Sequence, residues 1–132
     1  MTTSMIYFEC FNNKLDELLS ELVVTFPEMT DLKVLKNGLN LAKTLDVKMA
    51  QNIFNQHVAN TYETQILNQD EHFFLNEDYE EITLKHGVDL DIIKKLKSIW
   101  KELDDENKAV LWKYMKVLVL LNQKCAQKAK QV

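Results

Sequence analysis

The sequence predicts an all-α fold, a compact bundle of five or six helices in one domain over residues 1–132. It closes on a C-terminal helical hairpin whose last helix is central and buried. Three observations predict this. Apolar residues make up 46% of the 132 residues, enough to bury a core at this length and unlike a disordered chain. Only two Gly and one Pro occur, too few for the tight turns of a β-sandwich. Apolar residues recur at a helical period of about 3.6 along nearly the whole chain.

The first helix is expected over 9–25. Phe8, Phe11, Leu15, Leu18, Leu19, Leu22 and Phe26 form one stripe, with Asn13, Asp16, Glu17 and Glu21 opposite. Pro27 ends it, because the residue before a proline avoids the α region. A short strand at Met5–Phe8 stays open as an alternative ahead of it, and residues 1–8 and 126–132 are expected to fray.

The second helix is expected over 31–45, capped by Thr30 or Asp31. Leu32, Val34, Leu35, Leu39, Leu41, Ala42 and Leu45 cover half its circumference, and Lys33, Lys36, Asn37, Asn40, Lys43 and Thr44 the other half. Gly38 falls in the apolar half. A mid-helix glycine costs up to roughly 1 kcal/mol against alanine, so a close helix crossing is expected there, with a local bend as the alternative. The third helix, over 47–60, has Asp46 as its cap and Val47, Ala50, Ile53, Phe54 and Val58 as its stripe. The intervening TLDVKM reads as a short turn or a kink.

Tyr62, Ile66 and Leu67 add a helical turn or two. DEHFFLNEDYEE, residues 70–81, holds six acids and no Lys. A short helix near 70–76 is expected there, then a loop to about 88 punctuated by Gly87. The next helix spans about 89–103, with Ile92, Ile93, Leu96, Ile99, Trp100 and Leu103 on one arc and Lys94, Lys97 and Lys101 in a row beside it. The last runs over 105–128, capped by Asp104 or Asp105, with acids at its positive end. Val110, Leu111, Tyr114, Met115, Leu118, Leu121 and Cys125 form its stripe, and Val117 and Val119 widen it. Such a helix is buried nearly all round.

Charge and composition exclude several functions. Twenty acids against sixteen bases give a net charge of −4, which disfavours sequence-independent binding to nucleic acid. All sixteen bases are Lys, so the bidentate fork that reads guanine and phosphate is missing. No run of about 18 apolar residues exists to span a membrane. Met1–Met5 carries no basic residue ahead of a hydrophobic run, so no secretory signal is expected. Cys10 and Cys125 fit no zinc or redox spacing and are expected as free, buried thiols of an intracellular protein.

Catalytic and metal motifs are missing as well. His57, His72 and His86 make no metal-binding pair, and the acidic run has aromatics where a calcium loop needs ligands and glycine. The two Gly are 49 residues apart and no Gly-Lys-Ser/Thr occurs, so no phosphate loop is expected. No nucleophile motif occurs. The expectation is therefore no catalytic residues, no metal and no cofactor.

Interaction surfaces are the better prospect. Leu120 projects among Lys113, Lys116 and Lys124, and Trp112 lies at the margin of its stripe. Phe73 and Phe74 cannot both easily face one core from so short an acidic segment, and Tyr79 shares that segment. Exposed aromatics rimmed by charge suit a binding hot spot; the alternative is that these residues are core. Lys94, Lys97, Lys101, Lys113 and Lys116 form a candidate basic face.

The run IWKELDDENKAVLWKYMKVLVLLNQKC, with FNNKLDELLSELVVTFPE, LNLAKTLDVKMAQNIFNQHV and ILNQDEHFFLNEDY ahead of it, resembles a family of small uncharacterised α-helical proteins from large double-stranded DNA viruses of algae and other protists. The likeness rests on Ile99, Trp100 and Lys101, then Glu106, Asn107 and Lys108, then Trp112, Lys113 and Tyr114, and covers about residues 8–125. It implies no catalytic residue, cofactor or activity. The all-Lys basic set and eleven Asn fit an A/T-rich coding genome of the kind many such viruses have. In physical terms Trp100 and Trp112 flank the last turn and would clamp a hairpin.

The function expected is a non-catalytic viral protein that binds a viral or host protein, or a second copy of itself, through helical faces. Its place would be the host cytoplasm or nucleus, or the virion. A nucleic-acid-associated factor using the Lys row is the alternative, and a small enzyme or metal protein with an unrecognised site is the third.

Overall fold

Phe11 and Leu18 near one end of the chain and Leu118 near the other meet in the first core cluster, so the terminal helices pack side by side. The computed structural model describes residues 3–77, 79, 80, 84 and 90–130. Its elements are α1 (Thr3–Thr25), α2 (Thr30–Leu45), α3 (Met49–Phe54), a π-helical turn (Asn55–Ala59), α4 (Asn60–Leu67), α5 (Glu71–Asn76), α6 (Leu90–Glu102) and α7 (Asp105–Lys130). The fold is an all-α bundle, and no strand occurs among the described residues.

α7 is the central helix. Leu118 faces the α1 cluster, while its neighbour Val119 faces a second cluster built on Tyr62 and Ile66 of α4. Phe54 touches both clusters, and its ring stands edge-on to Phe11 at 5.3 Å. Adjacent residues of one helix point about 100° apart, so α7 packs against neighbours on two sides; it is not buried nearly all round as expected, since Lys113, Gln123 and Lys124 are exposed. Leu120 and Val110 point outward; Val110 thus departs from the expected stripe.

Local chemistry sets the breaks between helices. Phe26 N still bonds back to Leu22 O, and α1 stops at Pro27 as expected. The open strand alternative at Met5–Phe8 is resolved as helix, since α1 begins at Thr3. Neither Thr30 nor Asp31 caps α2; Met29 holds the cap position with no side-chain bond. The TLDVKM stretch is a turn. Asp46 does not cap α3, whose cap position is Lys48; its carboxylate instead accepts from Lys48 N at 2.9 Å, which tightens the corner.

α4 closes with Gln69 in the left-handed region at φ 52, Asp70 N bonding to Gln65 O and Gln69 N to Ile66 O. Glycine usually fills that position; here glutamine adopts it. Asp70 then caps α5 by accepting from Phe73 N at 3.0 Å, and Asp104 caps α7 by accepting from Asn107 N at 2.8 Å. Glu80 and Leu84, within the expected loop, are helical. Gly87 and His86 lie outside the described residues, as does the side-chain facing of Ile92, Ile93 and Leu96.

Several apolar residues expected inside are outside. Val34, Leu35, Leu41 and Leu45 of α2 and Ile53 of α3 are more than half exposed. α2 sits at the edge of the bundle and buries only Leu32 and Leu39 fully. The expected crossing at Gly38 is not made within the chain, for nothing lies within 4 Å of where its Cβ would stand. Cys10 is exposed, against expectation, whereas Cys125 is buried; both thiols are free.

A polar ladder crosses the interior. Gln51 Nε2 donates to Asn122 Oδ1 at 2.7 Å, and Asn122 Nδ2 donates to Asn55 Oδ1 at 3.0 Å. It ties α3 and the π turn to α7. Asn122→Ala would leave both outer amides without this partner, at about 1–3 kcal/mol for each buried group left unsatisfied. The expected loss is about 2–4 kcal/mol in urea unfolding. A loss below about 0.5 kcal/mol, the range of surface changes, would mean that the ladder contributes nothing.

Candidate binding cavity

The short helix α5 lays two neighbouring aromatics against the bundle. Phe73 and Phe74 both pack around Tyr62, with ring centroids 6.1 and 5.8 Å away, and stand edge-on to each other at 5.5 Å. They therefore do share one core, because each ring reaches the Tyr62 ring and the other. Tyr79 joins the same group at 5.9 Å from Tyr62. It does so with φ 56, a left-handed conformation that a bulky residue holds only when its surroundings enforce it.

Beside these rings the helices leave a cavity of about 480 Å³. Leu18, Leu22 and Phe26 form one wall, and Leu111, Trp112 and Met115 of α7 another. Tyr62, Phe74, Leu75 and Tyr79 also line it, as do Ile99, Trp100 and Leu103. Val58 and His57 enter from the π turn. There Asn60 N bonds to Asn55 O, five residues back, in place of the usual four. The extra residue re-aims the side chains of that turn, and such turns recur at functional sites.

Trp100 and Trp112 are the two tryptophans of the chain, and both line the cavity. Their rings meet edge-on at 5.2 Å and clamp α6 to α7, as the sequence leads one to expect. Trp112 also lies 6.0 Å from Phe74 and is buried.

The polar groups around the cavity are engaged with the protein itself. Glu71 Oε1 accepts from Trp100 Nε1 and from Lys108 Nζ, each at 2.6 Å. The Lys108 ammonium, then the indole N–H, hold the Glu71 carboxyl below the usual carboxylate range. Lys97 Nζ donates to Glu77 O and lies 5.2 Å from the centre of the Tyr79 ring. The Tyr79 hydroxyl donates to Phe74 O at 3.0 Å, and burial pushes its pKa up.

This arrangement sets a pH dependence. A carboxylate whose pKa is lower in the fold stabilises the fold fully above its unfolded value, about 4.3 for Glu. That contribution is lost as the pH falls through the lowered value. The Glu71 side chain is 40% exposed, so solvent screens the pair and the loss is modest. Between pH 7 and pH 3, urea unfolding should show wild type losing more stability than Glu71→Gln. Equal losses would mean that the Glu71–Lys108 pair does not support the fold.

The candidate interaction residues divide. Phe73, Phe74 and Tyr79 are half-buried around one ring cluster, Trp112 is buried, and Leu120 alone is exposed and lies away from the cavity. Among the candidate basic residues, Lys94, Lys101 and Lys113 are exposed, while Lys97 and Lys116 are half-buried. The engagement of Lys97 interrupts the row. His57, Glu71 and the cavity itself are missed by sequence reasoning, since each depends on which helices meet.

Among the described residues no group of three His, Cys, Asp or Glu could hold a metal ion. Burial pushes the Cys125 thiol up to about 11, so it stays protonated at neutral pH. No helix is long and apolar enough to cross a membrane, among the described residues. No protein-family model, curated protein or solved structure matches this chain.

Proposed function

We propose that this chain is a non-catalytic binding module that receives large apolar side chains of a partner protein in its aromatic-walled cavity. The observation that carries this reading is a cavity of about 480 Å³ bounded by Tyr62, Phe74, Tyr79, Trp100 and Trp112, with Glu71 and Lys97 beside it hydrogen-bonded within the protein. A site for a small polar molecule needs a few free polar groups to fix orientation. Glu71 and Lys97 spend theirs on Trp100, Lys108 and Glu77. What the cavity offers an incoming group is apolar contact, with charge at its rim, which is how a hot-spot pocket excludes water from an anchor residue. The π turn and the strained Tyr79 backbone at the same place add support.

The partner is a viral or host protein, met in the host cell or in the virion; this viral setting rests on the motif resemblance. Selection of a random-peptide library on the wild-type chain tests the reading. Enriched peptides should carry large apolar residues at helical spacing, shift the emission of Trp100 and Trp112, and fail to bind folded Leu75→Arg and Phe26→Arg variants. Peptides that bind wild type and both variants equally would place the binding surface elsewhere. An unenriched library would remove the cavity as a peptide site.

A further inference from the structure

We infer that the outer face of α2 is a self-association surface, on which a second copy of this chain docks antiparallel about a two-fold axis. This goes beyond the cavity, which no α2 residue lines. Val34, Gly38, Leu41 and Leu45 follow one another at spacings of four, three and four residues. That is the spacing of a coiled-coil seam, which keeps one narrow line of a helix turned toward another helix. Among the described residues most of this line is left uncovered. Val34, Leu41, Leu45 and the adjacent Leu35 are between 56% and 69% exposed, and the space over Gly38 is open.

Between Val34 and Leu45 the face carries no charge, and Asp31 lies beyond it in the first turn of α2. Leu35 and Ala42 flank the seam on one side, Asn37 and Thr44 on the other. Lys36 turns to the opposite side of the helix, where Nζ bonds Asp16 of α1 at 3.2 Å. A second copy brought against this face therefore meets no like charge along the seam, an unusual condition on a chain with 27% charged residues.

Size selects the second copy and its direction. With the axis passing between residues 39 and 40, Leu41 of each copy enters the notch left by Gly38 of the other. Val34 then faces Leu45, and Leu35 falls beside Ala42. Every large residue meets a smaller one or an aliphatic partner at the end of the seam. A parallel pair would set Gly38 on Gly38 and Leu41 on Leu41, a void beside a clash. The antiparallel pairing is also isologous, so it closes at two copies. Four exposed aliphatic side chains per copy amount to a buried area on the order of 1,000 Å² for the pair, the least that a specific interface must clear.

Sedimentation equilibrium of the full chain from about 5 to 200 µM tests this. The wild type should fit a monomer–dimer equilibrium. Leu41→Glu should weaken it at least tenfold, and Gly38→Leu should do the same by filling the notch without adding charge. Both should keep the circular dichroism of the dilute wild type, because neither position is packed within the chain. In a Cys10→Ser background, Val34→Cys chains mixed with Leu45→Cys chains should form a mixed disulfide, while neither forms one alone. In the antiparallel pair, like positions stand about 16 Å apart along the axis, beyond disulfide reach.

A dimer unaffected by Leu41→Glu and Gly38→Leu, or a Val34→Cys chain that cross-links with itself, overturns the proposal. So does a chain that stays monomeric at 200 µM. The face would then belong to a lipid surface if phosphatidylcholine–phosphatidylserine vesicles take up wild type and not Leu41→Glu, and to a different protein if they take up neither.

Discussion

Trp112→Ala is expected to lower folding stability by about 3–5 kcal/mol, the range for truncating a buried aromatic to alanine. Trp112 is 7% exposed. It links three parts of the structure, since it packs on Trp100 of α6 and Phe74 of α5 from its own place in α7. Because it borders an existing cavity, its removal enlarges that space and strips contacts from two further rings, with little chance of collapse. Trp112→Phe keeps a ring at the site and should cost less than half as much. Urea unfolding followed by circular dichroism measures both. The remaining Trp100 supplies a local readout, and its emission should move to the red in Trp112→Ala as water reaches it. A loss under about 1 kcal/mol would mean that Trp112 does not hold the hairpin against α5.

Leu118→Ala is expected to cost about 2–5 kcal/mol, and Leu120→Ala, two residues on, close to the ±0.5 kcal/mol of a surface change. Leu118 is 2% exposed and lies among Phe11, Leu18 and their neighbours, whereas Leu120 is 52% exposed. The two substitutions delete the same atoms from the same helix, so propensity cancels and the difference reports facing alone. Thermal melts of the pair measure it. Equal shifts would mean that α7 is rotated from the position described.

Periodicity carries most of this architecture. The stripe through Phe8, Phe11, Leu18 and Leu22, the stop at Pro27, and the capping carboxylates Asp70 and Asp104 are local features, and each fixes an element without reference to the rest of the fold. Facing is another matter. Val34, Leu35, Leu41 and Leu45 are as apolar as Leu32 and Leu39, and only the position of α2 at the edge of the bundle separates the exposed set from the buried one. The π turn leaves no compositional mark in NQHVA. Asn122, just after the apolar run 117–121, and Gln51 are polar residues that pair with each other in the interior, which depends on how the helices meet. The cavity was least legible. It forms where Phe26, Tyr62, Leu75, Trp100 and Met115, distant in the chain, fail to fill the space between them.

Phe73 and Phe74 illustrate the same point at short range. Two adjacent aromatics on a six-residue helix look unable to share a core, and would not if the core were flat. The Tyr62 ring is within contact of both, so both are satisfied. The aromatic surplus of the acidic segment is thereby turned inward, and it builds the wall of the cavity rather than an exposed patch.

That cavity is the centre of the functional account, and one experiment tests it most directly. Tagged wild-type chain, Leu75→Arg and Phe26→Arg would each be recovered from native lysate at low salt, in nuclease-treated and untreated halves, with the bound proteins read by mass spectrometry. The account predicts a protein partner that is retained by wild type through nuclease treatment and lost from both folded variants. Partners that vanish with nuclease, or that both variants retain undiminished, would contradict it.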